Sequence, residues 1–212
     1  YDVLKFLKEE NLGKIVVDNE IKKYFQGNNK EIIYDLKFTP YDYQEDAIKT
    51  LLRSKCGVLK SPTGSGKSLI ITYLLKTLFE WNEINNGIII VPTKGLIKQF
   101  HSDLIEYGID DTWIGEVHST SKEFEKPIVI STWQSLVNRS EVINGFDSVI
   151  CDECHGNKSL SLYGLMKYSD NVKYRYGVTG TLPEDKLELM QVKSYLGPVL
   201  KEITNDYIAE RG

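Results

Sequence analysis

The sequence has few cysteines, no long apolar run and no recognisable export signal. Its three cysteines are an odd number, which argues against a framework of disulfides and indicates a reducing compartment. No apolar run approaches the roughly 20 residues that a membrane-spanning helix needs, and no signal-peptide pattern opens the chain. These absences predict a cytoplasmic protein, in the host cytoplasm if the source is viral, without a membrane partner.

The chain also lacks an excess of positive charge. Its 26 Lys and Arg residues against 30 Asp and Glu residues give a net charge of −4, which argues mildly against a protein that coats nucleic acid nonspecifically. A protein that grips a nucleic-acid backbone through a few local groups is compatible with this balance. The apolar fraction of 41% is ordinary for a globular domain with a substantial core. Because the first residue is Tyr1 rather than Met, we expect a piece of a longer protein.

One stretch of the chain has the composition of a loop that binds phosphate. Residues 61–68 read Ser-Pro-Thr-Gly-Ser-Gly-Lys-Ser, after an apolar run at 57–60 and before a helical pattern at 69–79. A strand, a glycine-rich turn and a helix N-terminus in this order are the context that such a loop needs. The usual pattern begins with Gly, and Ser61 takes that place here. A serine- and glycine-rich surface loop is the alternative, which the flanking strand and helix disfavour.

The residue types of this loop suit the phosphates of a nucleotide. Gly64 and Gly66 allow successive backbone N–H groups to turn inward around a phosphate without a Cβ clash. We expect Lys67 to reach the β- and γ-phosphates and the Ser68 hydroxyl to hold Mg²⁺. The nucleotide-binding residues predicted in this loop are Thr63, Gly64, Ser65, Gly66, Lys67 and Ser68.

Short apolar runs alternate with amphipathic segments after residue 38, which predicts the fold. The runs are continuous rather than alternating, as in strands that are covered on both faces. Repeated strand-then-helix order predicts an α/β protein with a parallel sheet and helices on both faces. We expect a helix over 44–54 and strands at 58–59, 88–91, 128–130, 149–151 and 176–179. The predicted organisation is an N-terminal accessory segment over 1–37 and one main domain over 38–212.

A second motif is the acidic pair that follows the predicted strand at 149–151. A carboxylate at a strand end beside a phosphate loop lies where Mg²⁺ needs its second protein contact, and Asp152 fits that role. Glu153 would point elsewhere and could orient or deprotonate an attacking water. Each feature alone is weak, but an acidic strand end about ninety residues after a phosphate loop is common in nucleotide hydrolases.

The same acidic segment has two rival interpretations that involve cysteine. Residues 151–155 read Cys-Asp-Glu-Cys-His, which matches the signature for covalent haem attachment. Haem attachment needs an exported chain and an open loop, whereas Cys151 ends a buried strand pattern, so we expect no haem. A zinc site is disfavoured because Cys56 is the one other thiol in the sequence. The remaining interpretation is that Cys151 is a small core residue and Cys154 a local variant.

Four more segments accompany the phosphate loop and the acidic pair in a fixed order. They are Phe-Thr-Pro-Tyr-Asp-Tyr-Gln at 38–44, Val-Pro-Thr-Lys-Gly-Leu-Ile-Lys-Gln-Phe at 91–100, Ile-Ser-Thr-Trp-Gln-Ser-Leu at 130–136 and Val-Thr-Gly-Thr at 178–181. From about residue 38 to 195 the chain resembles the first motor domain of superfamily-two helicases of the DExH type. Within that superfamily it resembles the phage helicases that remodel branched DNA, and more loosely the helicases of DNA repair and transcription.

The resemblance implies a RecA-like fold, ATP and Mg²⁺ as cofactors, and sequence-independent movement on single-stranded or branched DNA. It implies that Gln44 reads the adenine edge, with Phe38 or Tyr41 packing nearby. It implies a catalytic set of Lys67, Asp152, Glu153 and His155, and a segment that couples hydrolysis to strand binding at Thr179, Gly180 and Thr181. The nucleic-acid contacts that it implies are Pro92, Thr93, Lys94, Gln99, Ser131, Thr132, Trp133 and Gln134.

The chemistry of these segments is consistent with the implied contacts. Thr93 and Lys94 lie where a strand ends and a helix begins, so that a hydroxyl, an ammonium group and free backbone N–H groups converge on a phosphate. Thr132 repeats the arrangement at another strand end. Trp133 could stack on a base or pack against the sheet, and both alternatives stay open. Thr179 and Thr181 could also be ordinary turn residues.

One element of the family's hydrolysis site has no counterpart in the sequence. The family resemblance implies a second motor domain that supplies an arginine to the γ-phosphate, and neither Arg139 nor Arg211 has a suitable sequence context. We therefore expect this chain alone to hydrolyse ATP poorly. The alternatives in the same class are an RNA helicase or the translocase of a restriction complex. The alternatives from other classes are an ATP-dependent binding or switch module and a small-molecule kinase.

Overall fold

The computed structural model describes residues 27, 30–154, 164–167, 169, 171–206 and 208. His155, which the family resemblance assigns to the catalytic set, lies outside the described residues. The predicted accessory segment is described at residue 27 and from residue 30 onward. No helix in the described part of the chain has the length and apolar character needed to cross a membrane.

Strands and helices alternate along the described chain, as the sequence pattern predicts. The strands are β1 (Cys56–Lys60), β2 (Gly87–Val91), β3 (Ile114–Val117), β4 (Ile128–Thr132), β5 (Ser148–Asp152), β6 (Tyr174–Thr179) and β7 (Val199–Glu202). The helices are α1 (Asp42–Leu52), α2 (Lys67–Glu80), α3 (Lys94–Tyr107), α4 (Trp133–Leu136) and α5 (Lys186–Leu196). Segments of 3₁₀ helix follow at Asp111–Trp113 and Val137–Gly145.

The seven strands of the described residues form one sheet in the order β3-β4-β2-β5-β6-β1-β7. Every neighbouring pair is parallel. Parallel neighbours need crossover connections, and α2, α3 and α5 lie in the connections that follow β1, β2 and β6. The predicted α/β class with a RecA-like parallel sheet is therefore confirmed. The five predicted strands are all present, and the sequence analysis missed β3 and β7, which lie at the two edges.

The core lies on both faces of this sheet. Along β2, Ile89 and Val91 join the apolar cluster beneath α1, α2 and α3, whereas Ile88 and Ile90 join the cluster on the opposite face with α5. All four side chains are at most 1% exposed. Continuous apolar strands are what such two-sided burial requires. The helices therefore cover both faces, as predicted.

The first described residues of the predicted accessory segment pack onto the main domain. Ile32 joins the core cluster beneath α1 and α2. The indole N–H of Trp81, just beyond α2, donates to the carbonyl oxygen of Glu31 at 3.1 Å, and Lys30 Nζ donates to the carbonyl oxygen of Trp81 at 3.2 Å. Residues 30–32 are thus fixed against the end of α2.

The carboxyl ends of the parallel strands bring the predicted motifs to one edge of the sheet. In the strand register, Lys60 at the end of β1 is paired with Thr179 at the end of β6. Asp152 at the end of β5 is paired with Val178, and Val91 is paired with Thr132 in the other half of the sheet. Ligands of open parallel sheets bind at such an edge.

Candidate active site

The predicted phosphate loop connects β1 to α2. Gly64 has φ 83° and Gly66 has φ 73°, which is the left-handed region that side chains with a Cβ disfavour. Gly66 lies immediately before the first residue of α2, Lys67. The loop therefore presents its backbone at the N-terminus of a 14-residue helix, where unpaired N–H groups favour an anion.

The serine that replaces the usual first glycine has a structural role in this loop. Ser61 and Ser65 are both fully buried, and their hydroxyl oxygens lie 2.5 Å apart. The backbone N–H of Ser61 donates to the carbonyl oxygen of Thr179 at 2.8 Å. The two side chains thus close the base of the loop and link it to the end of β6, so Ser61 is compatible with a phosphate loop.

Gln44 holds the phosphate loop from the side of α1. Its Nε2 donates to the carbonyl oxygen of Ser65 at 2.9 Å, and its Oε1 accepts the backbone N–H of Tyr41 at 2.9 Å. Tyr43 adds a hydrogen bond from its hydroxyl to the same Ser65 oxygen at 3.2 Å. A Cβ at Gly66 would lie 2.3 Å from Gln44 Nε2. Gln44 therefore braces the phosphate loop from α1.

The two aromatic residues that the family resemblance places near adenine are both exposed. Phe38 is 44% exposed and Tyr41 is 57% exposed. Phe38 packs edge-on against Tyr107 with 5.6 Å between ring centroids, and Tyr41 stacks on Tyr43 at 5.9 Å. Each ring therefore packs against a tyrosine and keeps part of its surface accessible, which an aromatic contact with a planar base needs.

Lys67 and Glu153 form an ion pair across the cleft. Lys67 Nζ lies 2.6 Å from Glu153 Oε1, and the two side chains are 14% and 27% exposed. The other carboxylate oxygen of Glu153 accepts the backbone N–H of Gly180 at 3.4 Å and lies 3.3 Å from Thr179 Oγ1. The Thr179 hydroxyl also donates to the carbonyl oxygen of Thr181 at 2.7 Å. Glu153 therefore connects the phosphate loop to the predicted coupling segment.

The phosphate loop and the acidic strand end line one cleft of about 540 Å³, in which Lys67 and Ser68 meet Asp152 and Glu153. This donor set is made of carboxylate and hydroxyl oxygens, which Mg²⁺ prefers. Among the described residues no group of three or more His, Cys, Asp or Glu side chains forms a cage for a metal. The residues fit Mg²⁺, because that ion is typically held by one or two carboxylates together with substrate phosphates.

Helix α3 forms a wall of the same cleft, which the sequence analysis did not foresee. Gln99, Asp103 and Tyr107 recur at every fourth residue and all line the cleft. The Tyr107 hydroxyl lies 3.0 Å from Ser68 Oγ. Burial raises the pKa of Asp103, and a hydrogen bond from Ser68 opposes that shift. Gln99 was predicted to contact nucleic acid, and the structure places it beside the phosphate loop instead of beside Thr93.

A second pocket of about 670 Å³ gathers most of the predicted nucleic-acid contacts. Pro92, Thr93, Lys94, Thr132 and Gln134 line it. The sequence analysis missed its remaining polar residues, which are His118, Ser119, Lys122, Ser135, Asn138 and Arg139.

The hydroxyls of the predicted threonines in this pocket cap helices. Thr93 Oγ1 accepts the backbone N–H of Leu96 at 3.4 Å, and Thr132 Oγ1 accepts that of Ser135 at 3.4 Å. Three permanent cations, Lys94, Lys122 and Arg139, surround them. The pocket is therefore locally positive although the chain carries a net charge of −4.

Besides Gln99, two predicted nucleic-acid contacts lie outside this pocket's lining. Ser131 is fully buried, and its hydroxyl donates to the carbonyl oxygen of Val117 at 3.1 Å. Trp133 is partly buried and packs against the apolar cluster on the α5 face of the sheet. The packing alternative that the sequence left open for Trp133 is thus the one that the structure favours.

The cysteines of the acidic segment are core residues. Cys151 and Cys154 are both 0% exposed, and a Cβ at Gly177 would lie 2.8 Å from the Cys154 sulfur. Burial raises the pKa of the Cys154 thiol to about 12 and that of Cys151 as well. Neutral, enclosed thiols are poor ligands and poor nucleophiles.

The fold and the cleft define a RecA-like nucleotide-binding domain with a phosphate loop and an acidic strand end. The chain belongs to the family described as type III restriction enzyme, res subunit, whose model matches residues 37–184. It is similar to the ATP-dependent DNA helicase uvsW of Enterobacteria phage T4, with 29% identity over 97% of this chain and 41% of that protein. It is also similar to the DNA 3'-5' translocase XPB2 of Sulfurisphaera tokodaii, with 30% identity over 80% of this chain and 38% of that protein.

Solved structures share the fold. A crystal structure of the UvsW helicase from bacteriophage T4 matches with a TM-score of 0.79 and 25% identity, over 94% of this chain and 76% of that one. A Sulfolobus solfataricus SWI2/SNF2 ATPase core in complex with dsDNA matches with a TM-score of 0.68 at 19% identity, over 79% of this chain and 38% of that one, and shows the fold alone. The chain spans about two fifths of the length of the curated relatives named above.

Proposed function

We propose that this chain is the first motor domain of an ATP-dependent DNA helicase or translocase that remodels branched DNA. The observation that carries the proposal is that Lys67 and Ser68 line one cleft with Asp152 and Glu153. The names of the two similar proteins, an ATP-dependent DNA helicase and a DNA 3'-5' translocase, favour DNA as the substrate.

The phosphate loop and the acidic strand end are proposed to bind different parts of the Mg²⁺–nucleotide complex. Backbone N–H groups at 63–67 and the Lys67 ammonium would bind the phosphates, and Gln44 with Phe38 or Tyr41 would bind the base. Ser68 and Asp152 are the residues that would hold Mg²⁺. When bound, that ion neutralises the charge that develops on the phosphates during transfer.

Glu153 is the residue proposed to orient or deprotonate the attacking water. In the structure its carboxylate is paired with Lys67, so a phosphate that draws Lys67 away would release one carboxylate oxygen. The other oxygen contacts Gly180 and Thr179. This arrangement supports the proposal that 179–181 couples hydrolysis to DNA binding.

DNA is proposed to lie across the second pocket. Phosphates would be bound by Lys94, Lys122 and Arg139 together with the backbone N–H groups at the start of α3 and α4. Such contacts read no base, which a motor moving along any sequence requires. Because Trp133 packs against the apolar cluster on the α5 face of the sheet, it is proposed to support this surface rather than to stack on a base.

A second motor domain is proposed to complete the hydrolysis site. Among the described residues that line the nucleotide cleft there is no arginine, and an arginine finger is worth on the order of 10³–10⁵ in rate. The chain alone is therefore expected to bind Mg²⁺–ATP and to hydrolyse it slowly.

The test is ATP hydrolysis by the longer protein that contains this domain, with branched DNA, linear duplex DNA or RNA as the stimulating ligand. Stimulation by branched DNA above the other two supports the proposal. Equal stimulation by linear duplex supports the alternative that the family description suggests, the translocase of a restriction complex. Stimulation by RNA alone, or none by any nucleic acid, contradicts it.

A further inference from the structure

Two residues of α3 hold the proposed metal ligand of the phosphate loop. Asp103 and Tyr107 lie one turn apart on the face of α3 that lines the nucleotide cleft. The Tyr107 hydroxyl is 3.0 Å from Ser68 Oγ, and Asp103 lines the same cleft as this serine. Ser68 is thus contacted from a helix that is remote in sequence from the phosphate loop.

The Ser68 hydroxyl has one proton and two lone pairs. Either oxygen of the Tyr107–Ser68 pair can be the donor, and in both cases at least one lone pair of Ser68 Oγ is left for a cation.

The position of Tyr107 is itself fixed by contacts on two sides. Its carbonyl oxygen accepts the backbone N–H of Lys37 at 3.0 Å, and Phe38 packs against its ring at 5.6 Å. Tyr107 therefore contacts both Phe38, which is proposed to bind the base, and Ser68, which is proposed to hold the metal.

We propose that Asp103 and Tyr107 are positioning residues that orient the Ser68 hydroxyl for Mg²⁺. The hydrogen bond with Tyr107 fixes the orientation of the Ser68 hydroxyl, and Asp103 lines the same side of the cleft, so that a free lone pair of Ser68 Oγ is directed to the ion. The inference rests on the proposed function and deepens it, because it concerns the same nucleotide site. Groups that orient a metal ligand from behind set the affinity for the metal without touching it.

The test separates the affinity for the metal from the affinity for the nucleotide. Binding of ATP to the chain is titrated by calorimetry over a series of Mg²⁺ concentrations and again in excess EDTA. The variants are Asp103→Asn and Tyr107→Phe, which keep the size of the side chains. Glu106→Gln is the matched control, because it removes one negative charge from an exposed position of the same helix.

For Asp103→Asn we expect the Mg²⁺ concentration needed for tight binding to rise, on the order of 10–100-fold as for other groups behind a metal ligand. Tyr107→Phe should shift it in the same direction, while the affinity in EDTA stays that of the wild type. Glu106→Gln should bind like the wild type under both conditions. Thermal melting of each variant checks that it folds. If one of the two α3 variants does not fold, the other is sufficient for the test.

Three results overturn the inference. An unchanged dependence on Mg²⁺ in a folded variant shows that α3 does not position Ser68. An equal loss of affinity with and without Mg²⁺ shows a structural role only. If the wild-type chain does not bind ATP with Mg²⁺, the proposed function fails and the inference fails with it. The wild-type titration therefore distinguishes a failure of the proposed function from a failure of the inference alone.

Discussion

The ammonium group of Lys67 lies 2.6 Å from a carboxylate oxygen of Glu153. The proposed phosphate ligand and the proposed base for the water therefore neutralise each other in this structure. Since the other Glu153 oxygen contacts the end of β6 at Thr179 and Gly180, any ligand that attracts Lys67 also changes the electrostatic surroundings of that segment. The pair is partly buried, where the interaction is screened less than on an open surface.

Glu153→Gln should separate nucleotide binding from hydrolysis. The amide keeps the size of the side chain, but it neither pairs fully with Lys67 nor accepts a proton from water. We expect ATP to bind at least as tightly as to the wild type, and hydrolysis by the two-domain protein to fall about 10²–10⁴-fold, which is the usual worth of a general base. Phosphate release and ATP titration measure the two effects. Glu125→Gln, at an exposed position, is the control, and an active Glu153→Gln protein would contradict the assignment.

Gly66→Ala should destroy the phosphate loop more completely than Gly64→Ala. Both residues have positive φ, so each alanine costs roughly 1–2 kcal/mol of backbone strain. Only at Gly66 would the new Cβ also lie 2.3 Å from Gln44 Nε2, whereas at Gly64 no atom lies within 4 Å. Thermal melting and ATP titration of the two variants isolate the contact with Gln44. Equal losses in both would show that this contact does not shape the loop.

Arg139→Ala and Lys122→Ala should weaken DNA binding without a preference for sequence. Each removes a cation from the second pocket, and each lost phosphate contact lowers the slope of log affinity against log salt by about one. Lys98→Ala is the matched control, since Lys98 is exposed on α3 and lies outside the lining of that pocket. Fluorescence anisotropy of a labelled junction at several salt concentrations measures the effect. A salt slope that stays that of the wild type would place the DNA elsewhere.

His101 should make stability depend on pH. Burial lowers its pKa, but hydrogen bonds with Asp111 and Glu116 outweigh burial and raise the pKa above its ordinary value. The ring nitrogens lie 2.7 Å and 2.6 Å from these carboxylates. A raised pKa stabilises the protonated form in the folded state, so the contribution is complete below the unfolded pKa of about 6.5 and is lost as pH rises through the folded pKa.

His101→Gln should therefore lower the melting temperature at pH 5.5 more than at pH 9, values chosen to bracket the ordinary histidine pKa of about 6.5. Differential scanning fluorimetry at the two pH values measures this difference. An equal loss at both values would show that the charge on His101 does not contribute.

The sequence predicted the interior strands but missed those at the edges of the sheet. Ile88–Val91 is a continuous apolar run because β2 is buried on both faces. At the edges, β3 contains Gly115 and the partly exposed Glu116, and β7 contains Lys201 and Glu202. An edge strand needs less apolar surface, so its pattern does not stand out from a loop.

The candidate site was predicted where one local motif contains the chemistry, and missed where tertiary packing brings distant residues together. Lys67, Asp152 and Glu153 follow strands with recognisable spacing, and the structure brings them together in one cleft. Tyr107 contacts Ser68 and Asp103 lines the same cleft because α3 packs beside α2, and the four-residue spacing from Gln99 is the one local signal for that wall.

Arg139 lies in a 3₁₀ segment with non-helical backbone angles of φ −148° and ψ 35°. No periodic pattern in the sequence predicts where such a residue points, and its place in the second pocket follows from the structure alone.

The most direct measurement is a crystal structure of the chain with Mg²⁺ and a non-hydrolysable ATP analogue. The account predicts that Lys67 leaves Glu153 and contacts the β- and γ-phosphates, with the metal between Ser68 and Asp152. A nucleotide bound outside the cleft, or a Lys67 still paired with Glu153 beside a bound triphosphate, would contradict it.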